Sequence, residues 1–331
     1  MSVRPREAMS EAPLVTIGVT TFDRVAMLLQ CLQSIGRQTR GSFEVIVGND
    51  DPSKAISGTT FDLEGDARFR FVNHPGNLGE LGNMNYLLGA ARGDYFTWLA
   101  DDDAYAPNYL AEMVDAVETH DADVAFCGFH QGNISDFPGA QKNGETRVYK
   151  GCEFLSAYLR GDIKTLGVYG LFHRKYLSSI GGIRQLGAGF SPYSDNLLAI
   201  EAGQFDRVVF HDAPLVFFRT HPASVSFTSR DLSAFVTAQV DLADRCGRIF
   251  RAISGTSHKD PFTQFLFRWF VRDFCGLVLR CGGVSIRDMA KFAAFGLRKS
   301  SGATLRQRLQ LGLYLAINLV RSFMKLAIGR R

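Results

Sequence analysis

The sequence predicts an α/β fold: a mostly parallel sheet flanked by helices, followed by a C-terminal helical extension. Three observations predict it. Short β-rich runs alternate with helical periodicities from Val15 to about Phe126, the pattern of a parallel sheet covered on both faces. Three runs end in polar clusters, Thr20-Thr21, Asp50-Asp51 and Asp101-Asp102-Asp103, and in such sheets ligands sit beyond the carboxyl ends of the strands. Past Ser224 the strand-like runs stop and only helical patterns remain.

In chain order, Val15-Thr16-Ile17-Gly18-Val19 reads as a buried strand. Asp23 is placed to cap the helix after it, whose apolar face is Val25, Leu28, Leu29, Leu32 and Ile35. Phe43 to Val47 is a second strand and Phe69 to Val72 a third. Asn73-His74-Pro75-Gly76-Asn77 is a loop by its turn residues, and Leu81 to Ala91 a helix. Tyr95 to Leu99 is a fourth strand, Pro107 opens a helix over Asn108 to Thr119, and Val124 to Phe126 is a fifth strand. Gly128 to Lys150, rich in Gly, Asn, Gln and Ser, is expected to be a long excursion, a hairpin near the site. Phe205 to His211 and Leu215 to Phe218 read as two further strands.

Composition narrows the class. With 46% hydrophobic and 21% charged residues in 331, the chain has an ordinary globular make-up and needs no structural metal or disulfide to build a core. Its six cysteines form no C-x-x-C pair, so reduced thiols in a cytoplasmic protein are expected rather than a zinc site. Met1 to Pro13 is polar with no apolar run and is expected to be a loose tail rather than a signal peptide. Asp241 to Arg331 holds 17 Lys/Arg against 5 Asp/Glu, or +12, so with a net charge of +4 the remainder carries 4 − 12 = −8.

Three successive aspartates after a buried strand repel one another and are costly to desolvate. A divalent cation relieves that repulsion, and hard oxygen ligands suit Mg²⁺ or Mn²⁺ when diphosphate oxygens complete the shell. The plainer alternative is a solvated acidic turn. No G-x-G-x-x-G follows the first strand and no G-x-x-x-x-G-K-[ST] occurs anywhere, which argues against a dinucleotide-dependent dehydrogenase and a P-loop ATPase.

At this point the chain resembles the inverting family 2 glycosyltransferases with the GT-A fold, a Rossmann-like sheet. The resemblance lies in VTIGVTTFDR (Val15 to Arg24), FEVIVGNDDPS (Phe43 to Ser53), NLGELGNMNYLLGAARGDYFTWLADDDAYAPNYL (Asn77 to Leu110) and FRTHPASVS (Phe218 to Ser226). It covers about two thirds of the chain, in an order and spacing that are specific together. The resemblance implies residues 13–230 as the GT-A domain, with 1–12 a tail and 231–331 a basic helical region. It implies nucleotide-sugar contacts from Thr20, Thr21, Phe22, Arg24, Asp50, Asp51, Asn77, Gly79, Asn85, Asp101, Asp102 and Arg219. The family's metal-binding acids map onto Asp102 and Asp103, or onto Asp101 to Asp103 in an alternative register, with His221 a further metal ligand. The family's catalytic base maps onto Asp195, with Ser194 where an acid often stands. The alternative for Asp195 is a helix cap, and Glu201 is a weaker candidate base. Met84 stands where the family often has an arginine near the diphosphate, for which Arg92 or Arg219 are candidate substitutes. Gly181-Gly182 and Val168 to Arg174 match the acceptor side.

The implied reaction is a hexosyl-type transfer from a nucleotide-diphosphate sugar, a UDP-sugar foremost, to an acceptor hydroxyl with inversion, dependent on Mn²⁺ or Mg²⁺. A glycan or lipid-linked acceptor in cell-envelope or extracellular polysaccharide or glycolipid synthesis is expected. The basic C-terminal helices, apolar from Phe262 to Leu277 and from Leu309 to Val320, are too short to span a bilayer. They suit peripheral contact at the inner face of the cell membrane. The alternative is packing on the catalytic domain or a partner. Nucleic-acid binding is not expected, since no recognition fold accompanies the charge. The competing functional readings are a glycosyltransferase-like, non-catalytic nucleotide-sugar-binding or scaffold protein and, lacking a basic Gly-rich phosphate loop, a sugar nucleotidyltransferase.

Overall fold

The computed structural model describes residues 13–133, 139, 144–189, 191–221, 229, 231–253, 275–276, 287, 290–291, 294 and 305–328. The expected tail over residues 1–12, the middle of the excursion after Gly128, the motif residues Pro222 to Ser226 and nearly all of the apolar run from Phe262 lie outside the described residues.

Among the described residues nine strands form one sheet: β1 (Val15–Thr21), β2 (Phe43–Asn49), β3 (Phe69–Asn73), β4 (Tyr95–Ala100), β5 (Ala104–Tyr105), β6 (Val124–Gly132), β7 (Thr146–Tyr149), β8 (Leu171–His173) and β9 (Val208–Arg219). Their order is β3-β2-β1-β4-β8-β6-β9-β5, with β7 also beside β9. β3, β2, β1 and β4 run parallel. β8 is antiparallel to both β4 and β6, so β6 and its parallel neighbour β9 point the same way as β4. Thr21 pairs with Asn49 and Thr20 with Ala100. That register brings the next residues, Phe22, Asp50 and Asp101, to one edge, and Arg219 ends β9 at the same edge.

Helices cover both faces. On one side lie α1 (Val25–Gly36) and α3 (Tyr109–His120). Leu28, Cys31, Leu32 and Ile35 follow one helical stripe and meet Ile17, Val19 and Val47. On the other side lie α2 (Glu80–Ala90), α4 (Gly151–Arg160), α5 (Arg174–Ser179) and α6 (Ser194–Glu201). They share a core with α7 (Leu232–Ala252) and with Leu311 and Leu315 of α8 (Leu305–Ile328) around Phe96, Trp98 and Phe126.

Several sequence expectations are corrected. Asp23 does not cap α1. It sits at φ 50°, left-handed, and the helix starts at Val25 with no side-chain cap. Leu29 faces solvent rather than the core. The two strands expected between Phe205 and Phe218 are one, β9, kinked by extra residues around Asp212 to Leu215 that break its register with β6; Pro214, without an N–H, suits such a bulge. The ends of the 128–150 excursion do not pair with each other as a hairpin: β6 runs on to Gly132, and β7 pairs with the start of β9.

Candidate active site

At the carboxyl edge of the strands lies a cleft of about 640 Å³. One wall comes from the ends of β1, β2 and β4. The other comes from the turn Gly167–Tyr169 and the start of α6.

The acidic triplet solves its desolvation problem by pointing three ways. Asp101 is fully buried and turned away from the cleft. Thr21 Oγ1 donates to its Oδ2 at 2.6 Å, and Arg24 Nη2 stands 3.2 Å from Oδ1. Burial pushes this carboxyl up to about 6, with Arg24 and the Thr21 hydroxyl pulling it down. Asp102 faces the cleft, where its Oδ2 accepts from Arg24 Nη1 at 2.8 Å and lies 2.9 Å from His221 Nε2. Asp103 is buried, its Oδ2 bonded by the Tyr169 hydroxyl and its Oδ1 by the backbone N–H of Arg219 at 2.8 Å. Burial and the charge of Asp102 drive the Asp103 carboxyl upward. Behind it the hydroxyls of Thr97, Tyr105 and Tyr109 bond one another, and Tyr109 OH donates to the Tyr169 carbonyl at 2.8 Å.

Around this corner the cleft is lined by Thr20, Phe22, Arg24, Asp50, Asn77 and Gly79. Phe22 is 49% exposed, an aromatic face offered to the cleft. Asp50 Oδ1 accepts from Leu78 N at 2.7 Å, and Asn77 Oδ1 from Gly79 N at 2.8 Å, so two side chains fix the loop that leads into α2. Arg219 reaches the cleft with Nε and Nη2 shielded from water and without an acceptor, as is Nδ1 of His221. Buried donors are nearly always paired, so two unpaired guanidinium nitrogens at a cleft are an exception in this fold.

On the opposite wall stands Asp195. Its Oδ1 accepts from Val168 N at 2.8 Å, and the Gly167 N–H adds a second bond. The carboxylate thus binds a neighbouring turn and does not cap its own helix, whose N-cap is Tyr193. Burial raises its pKa to about 6, partly offset by the two N–H donors, and Glu80 contributes a small further rise. Ser194 is occupied: its hydroxyl donates to the Arg184 carbonyl at 2.6 Å and meets Ser191 Oγ at 2.6 Å. The Gly167–Tyr169 turn therefore holds Asp195 through two backbone N–H groups and Asp103 through the Tyr169 hydroxyl. A Cβ at Gly167 would lie 2.2 Å from the Asp195 carbonyl oxygen, so this position admits no side chain while α6 stays in place.

Other sequence-selected residues lie elsewhere. Asp51 turns into its own loop, accepting from Ser53 N at 2.9 Å and Ser53 Oγ at 2.6 Å, and lines a small recess beside Lys54 rather than the main cleft. Asn85 does not line the cleft. It clasps the backbone of Ile183, donating to its carbonyl at 2.8 Å and accepting its N–H at 3.1 Å. The absent side chain of Gly182, at φ +66°, leaves room for that clasp. Arg92 is no substitute near the diphosphate corner, because it lies before β4, at the other end of the strands, bound to Glu44 Oε2 at 2.8 Å. Glu201 is buried beside Arg184, at 3.5 Å, with its pKa pushed up to about 7 by burial, and does not line the cleft. Glu80 was missed by sequence reading. It opens α2, lines the cleft, and is pushed up by desolvation and then by Asp102, against the pull of Arg24. Its only signal was an acid in a first helical turn just after Gly79.

Among the described residues no three His, Cys, Asp or Glu side chains are grouped to hold a metal. Two do converge: Asp102 Oδ2 and His221 Nε2 stand 2.9 Å apart, close to the ~3 Å between neighbouring ligands of an octahedral ion at ~2.1 Å. That separation is also an ordinary hydrogen bond, and a divalent cation held by these two donors would need substrate oxygens and water for the rest of its shell and displacement of the Arg24 guanidinium.

Residues 16–177 match the family model "Glycosyl transferase family 2". Among curated relatives, the putative glycosyltransferase EpsH of Bacillus subtilis is 22% identical over 223 residues, 65% of this chain and 63% of EpsH. The GalNAc(5)-diNAcBac-PP-undecaprenol β-1,3-glucosyltransferase of Campylobacter jejuni is 29% identical over 155 residues, 45% of this chain and 50% of that one. The chain thus spans about half to two thirds of these relatives' own length. Among solved structures, residues 1–349 of Staphylococcus aureus TarS in complex with UDP-GlcNAc superpose with a TM-score of 0.70 at 13% identity, covering 95% of this chain and 92% of that chain. The mannosyltransferase PcManGT of Pyrobaculum calidifontis, in complex with GDP-Man and Mn²⁺, gives 0.50 at 16% identity, covering 96% and 87%. The family match places residues 16–177 in glycosyl transferase family 2, and the mostly parallel sheet with its likeness to TarS gives the chain the GT-A fold.

Proposed function

We propose that the chain transfers a sugar from a nucleotide-diphosphate donor to an acceptor hydroxyl with inversion at the anomeric carbon. The observation that carries this is the opposition across one cleft of Arg219, with two guanidinium nitrogens unpaired, to Asp195 on the far wall, whose pKa of about 6 suits a base. The nucleotide lies along Thr20, Phe22, Asp50, Asn77 and Gly79, with its diphosphate toward Asp102 and Arg219. Asp195 takes the proton from the acceptor hydroxyl as that oxygen bonds to the anomeric carbon. The bond from that carbon to the diphosphate oxygen breaks, and its electron pair leaves with the nucleotide. Arg219 and Arg24 stabilise the charge that collects there. A divalent cation, Mn²⁺ or Mg²⁺, held by Asp102 and His221 would add Lewis-acid neutralisation of that diphosphate. One displacement and one base give inversion, the logic of single-displacement glycoside chemistry with an alcohol in place of water.

A UDP-sugar is the favoured donor; TarS binds UDP-GlcNAc and PcManGT GDP-Man. A glycan or lipid-linked hydroxyl is the favoured acceptor, and the C-terminal helix α8 is the element that would keep the enzyme beside a membrane holding it. The test is calorimetric titration of UDP, GDP and dTDP, with and without Mn²⁺, into the wild type and Asp102→Asn. Binding of one nucleotide that strengthens with Mn²⁺ and loses that strengthening in Asp102→Asn supports the donor site. No binding of any of the three with Mn²⁺ present refutes it and leaves the scaffold reading in its place.

A further inference from the structure

The helix α8 is apolar on two sides. Leu311 and Leu315 are buried in the core shared with α7, and Leu319 packs against it. Leu305, Leu309, Leu313, Ile317, Val320 and Met324 are 42 to 75% exposed. At 3.6 residues per turn these six fall within one arc of about 120°, roughly opposite the buried leucines, and the arc runs about 28 Å along the helix. Thirteen large hydrophobic side chains are exposed among the described residues, and seven of them, these six and Tyr314, are on this one helix. A patch of that kind on an otherwise ordinary surface marks a docking face.

Charge selects the occupant. α8 contains Arg306, Arg308, Arg321 and Lys325 and no Asp or Glu. Arg306 and Arg321 are exposed near its two ends, and the whole segment from Asp241 carries +12. Pairing α8 with α8 of a second copy would set arginine against arginine with no carboxylate from either helix, a repulsive arrangement. A surface of anionic headgroups over hydrocarbon answers both features, taking the apolar arc into the acyl boundary and the arginines among the phosphates. No helix among the described residues is long and apolar enough to cross a membrane, so α8 would lie in the interface plane.

We infer that α8 is a membrane-interface helix, seated through Leu305, Leu309, Leu313, Ile317, Val320 and Met324 on anionic lipid. This deepens the proposed function, on which it rests for the acceptor's location, by naming the surface and the lipid class. The test is flotation of the full chain with vesicles of phosphatidylcholine alone or with about a third phosphatidylglycerol, and titration of the favoured nucleotide in parallel. Leu309→Gln, Leu313→Gln and Val320→Gln together should lower partition at least tenfold and leave nucleotide affinity unchanged; the three side chains are 68, 67 and 58% exposed, so the fold tolerates the change. Arg306→Gln with Arg321→Gln should lower binding to anionic vesicles about fivefold per charge, an effect that added salt erases. Wild type that stays in solution with anionic vesicles overturns the inference. So does undiminished binding by the triple variant, or a wild-type dimer in sedimentation velocity that the triple variant makes monomeric without any vesicle binding. A chain that floats with vesicles but takes no nucleotide supports the membrane face and removes the donor reading instead.

Discussion

Replacing Asp195 by asparagine sets catalysis against stability. In the folded protein burial holds the Asp195 carboxyl at about 6, against an ordinary value of 3.8. A raised carboxyl favours the folded state when protonated, so that contribution is present below 3.8 and is lost as the pH climbs through about 6. Above pH 7 the ionised group therefore costs the fold up to ~3 kcal/mol, from ~1.4 kcal/mol per pKa unit. Water in the cleft returns part of that, leaving ~1–2 kcal/mol. Asparagine keeps an oxygen for the Val168 N–H, at 2.8 Å in the wild type, and carries no charge. The variant should be more stable than wild type at pH 8 by about that amount in urea titrations, with the gain falling to about half by pH 5. Transfer should drop by at least a hundredfold for want of a base, and nucleotide affinity should be unchanged. Wild-type kcat/KM should fall tenfold per pH unit below about 6. A variant with no stability gain at pH 8, or with the same gain at pH 5, refutes the idea that the protein holds this carboxylate under strain for proton transfer.

Four other outcomes follow from the geometry. Gly167→Ala pushes a methyl group against the Asp195 carbonyl; it should cost 1–3 kcal/mol by overpacking and cut kcat more than KM, read by steady-state kinetics with the favoured donor. Tyr169→Phe strips a donor from the buried Asp103 and should lower stability by ~1–3 kcal/mol, measured by thermal melting. Arg219→Gln should weaken nucleotide-diphosphate binding tenfold or more, by ~1.5–3 kcal/mol for a charged hydrogen bond, while nucleoside binding without phosphates barely changes in calorimetry. Asn85→Ala breaks the clasp on Ile183 and should destabilise the fold by ~1–2 kcal/mol, with the nucleotide dissociation constant within twofold of wild type; a larger loss of affinity would return Asn85 to the donor site.

Elements with strong local signals were legible in the sequence. β1, β2 and β4 are short apolar runs closed by polar residues, and α1 and α3 carry apolar stripes, so both the strands and the edge where Thr21, Asp50 and Asp101 meet followed from pattern. The division of labour within the acidic triplet did not. Consecutive aspartates look alike in a sequence, and only the third dimension assigns Thr21 to the first, Arg24 with His221 to the second, and Tyr169 to the third. Asn85 and Arg92 sit in motif-rich stretches, yet partners 98 and 48 residues away claim their side chains. β9 was split in the reading because a bulge interrupts alternation just as a chain break would. Glu80 was overlooked because an acid in the first turn of a helix has an ordinary explanation in the helix dipole.

The turn from Gly167 to Tyr169 has a kinematic consequence. Asp103 and Asp195 hang from the same three residues, one by a phenol hydroxyl and one by backbone N–H groups. A drift of that turn carries both along in the same direction. Their separation therefore fluctuates less than the position of either, as two instruments bolted to one rail keep their spacing while the rail vibrates. The turn thus ties the base on one wall of the cleft to the acidic edge on the other, and a shift of either wall is passed to its counterpart through three residues.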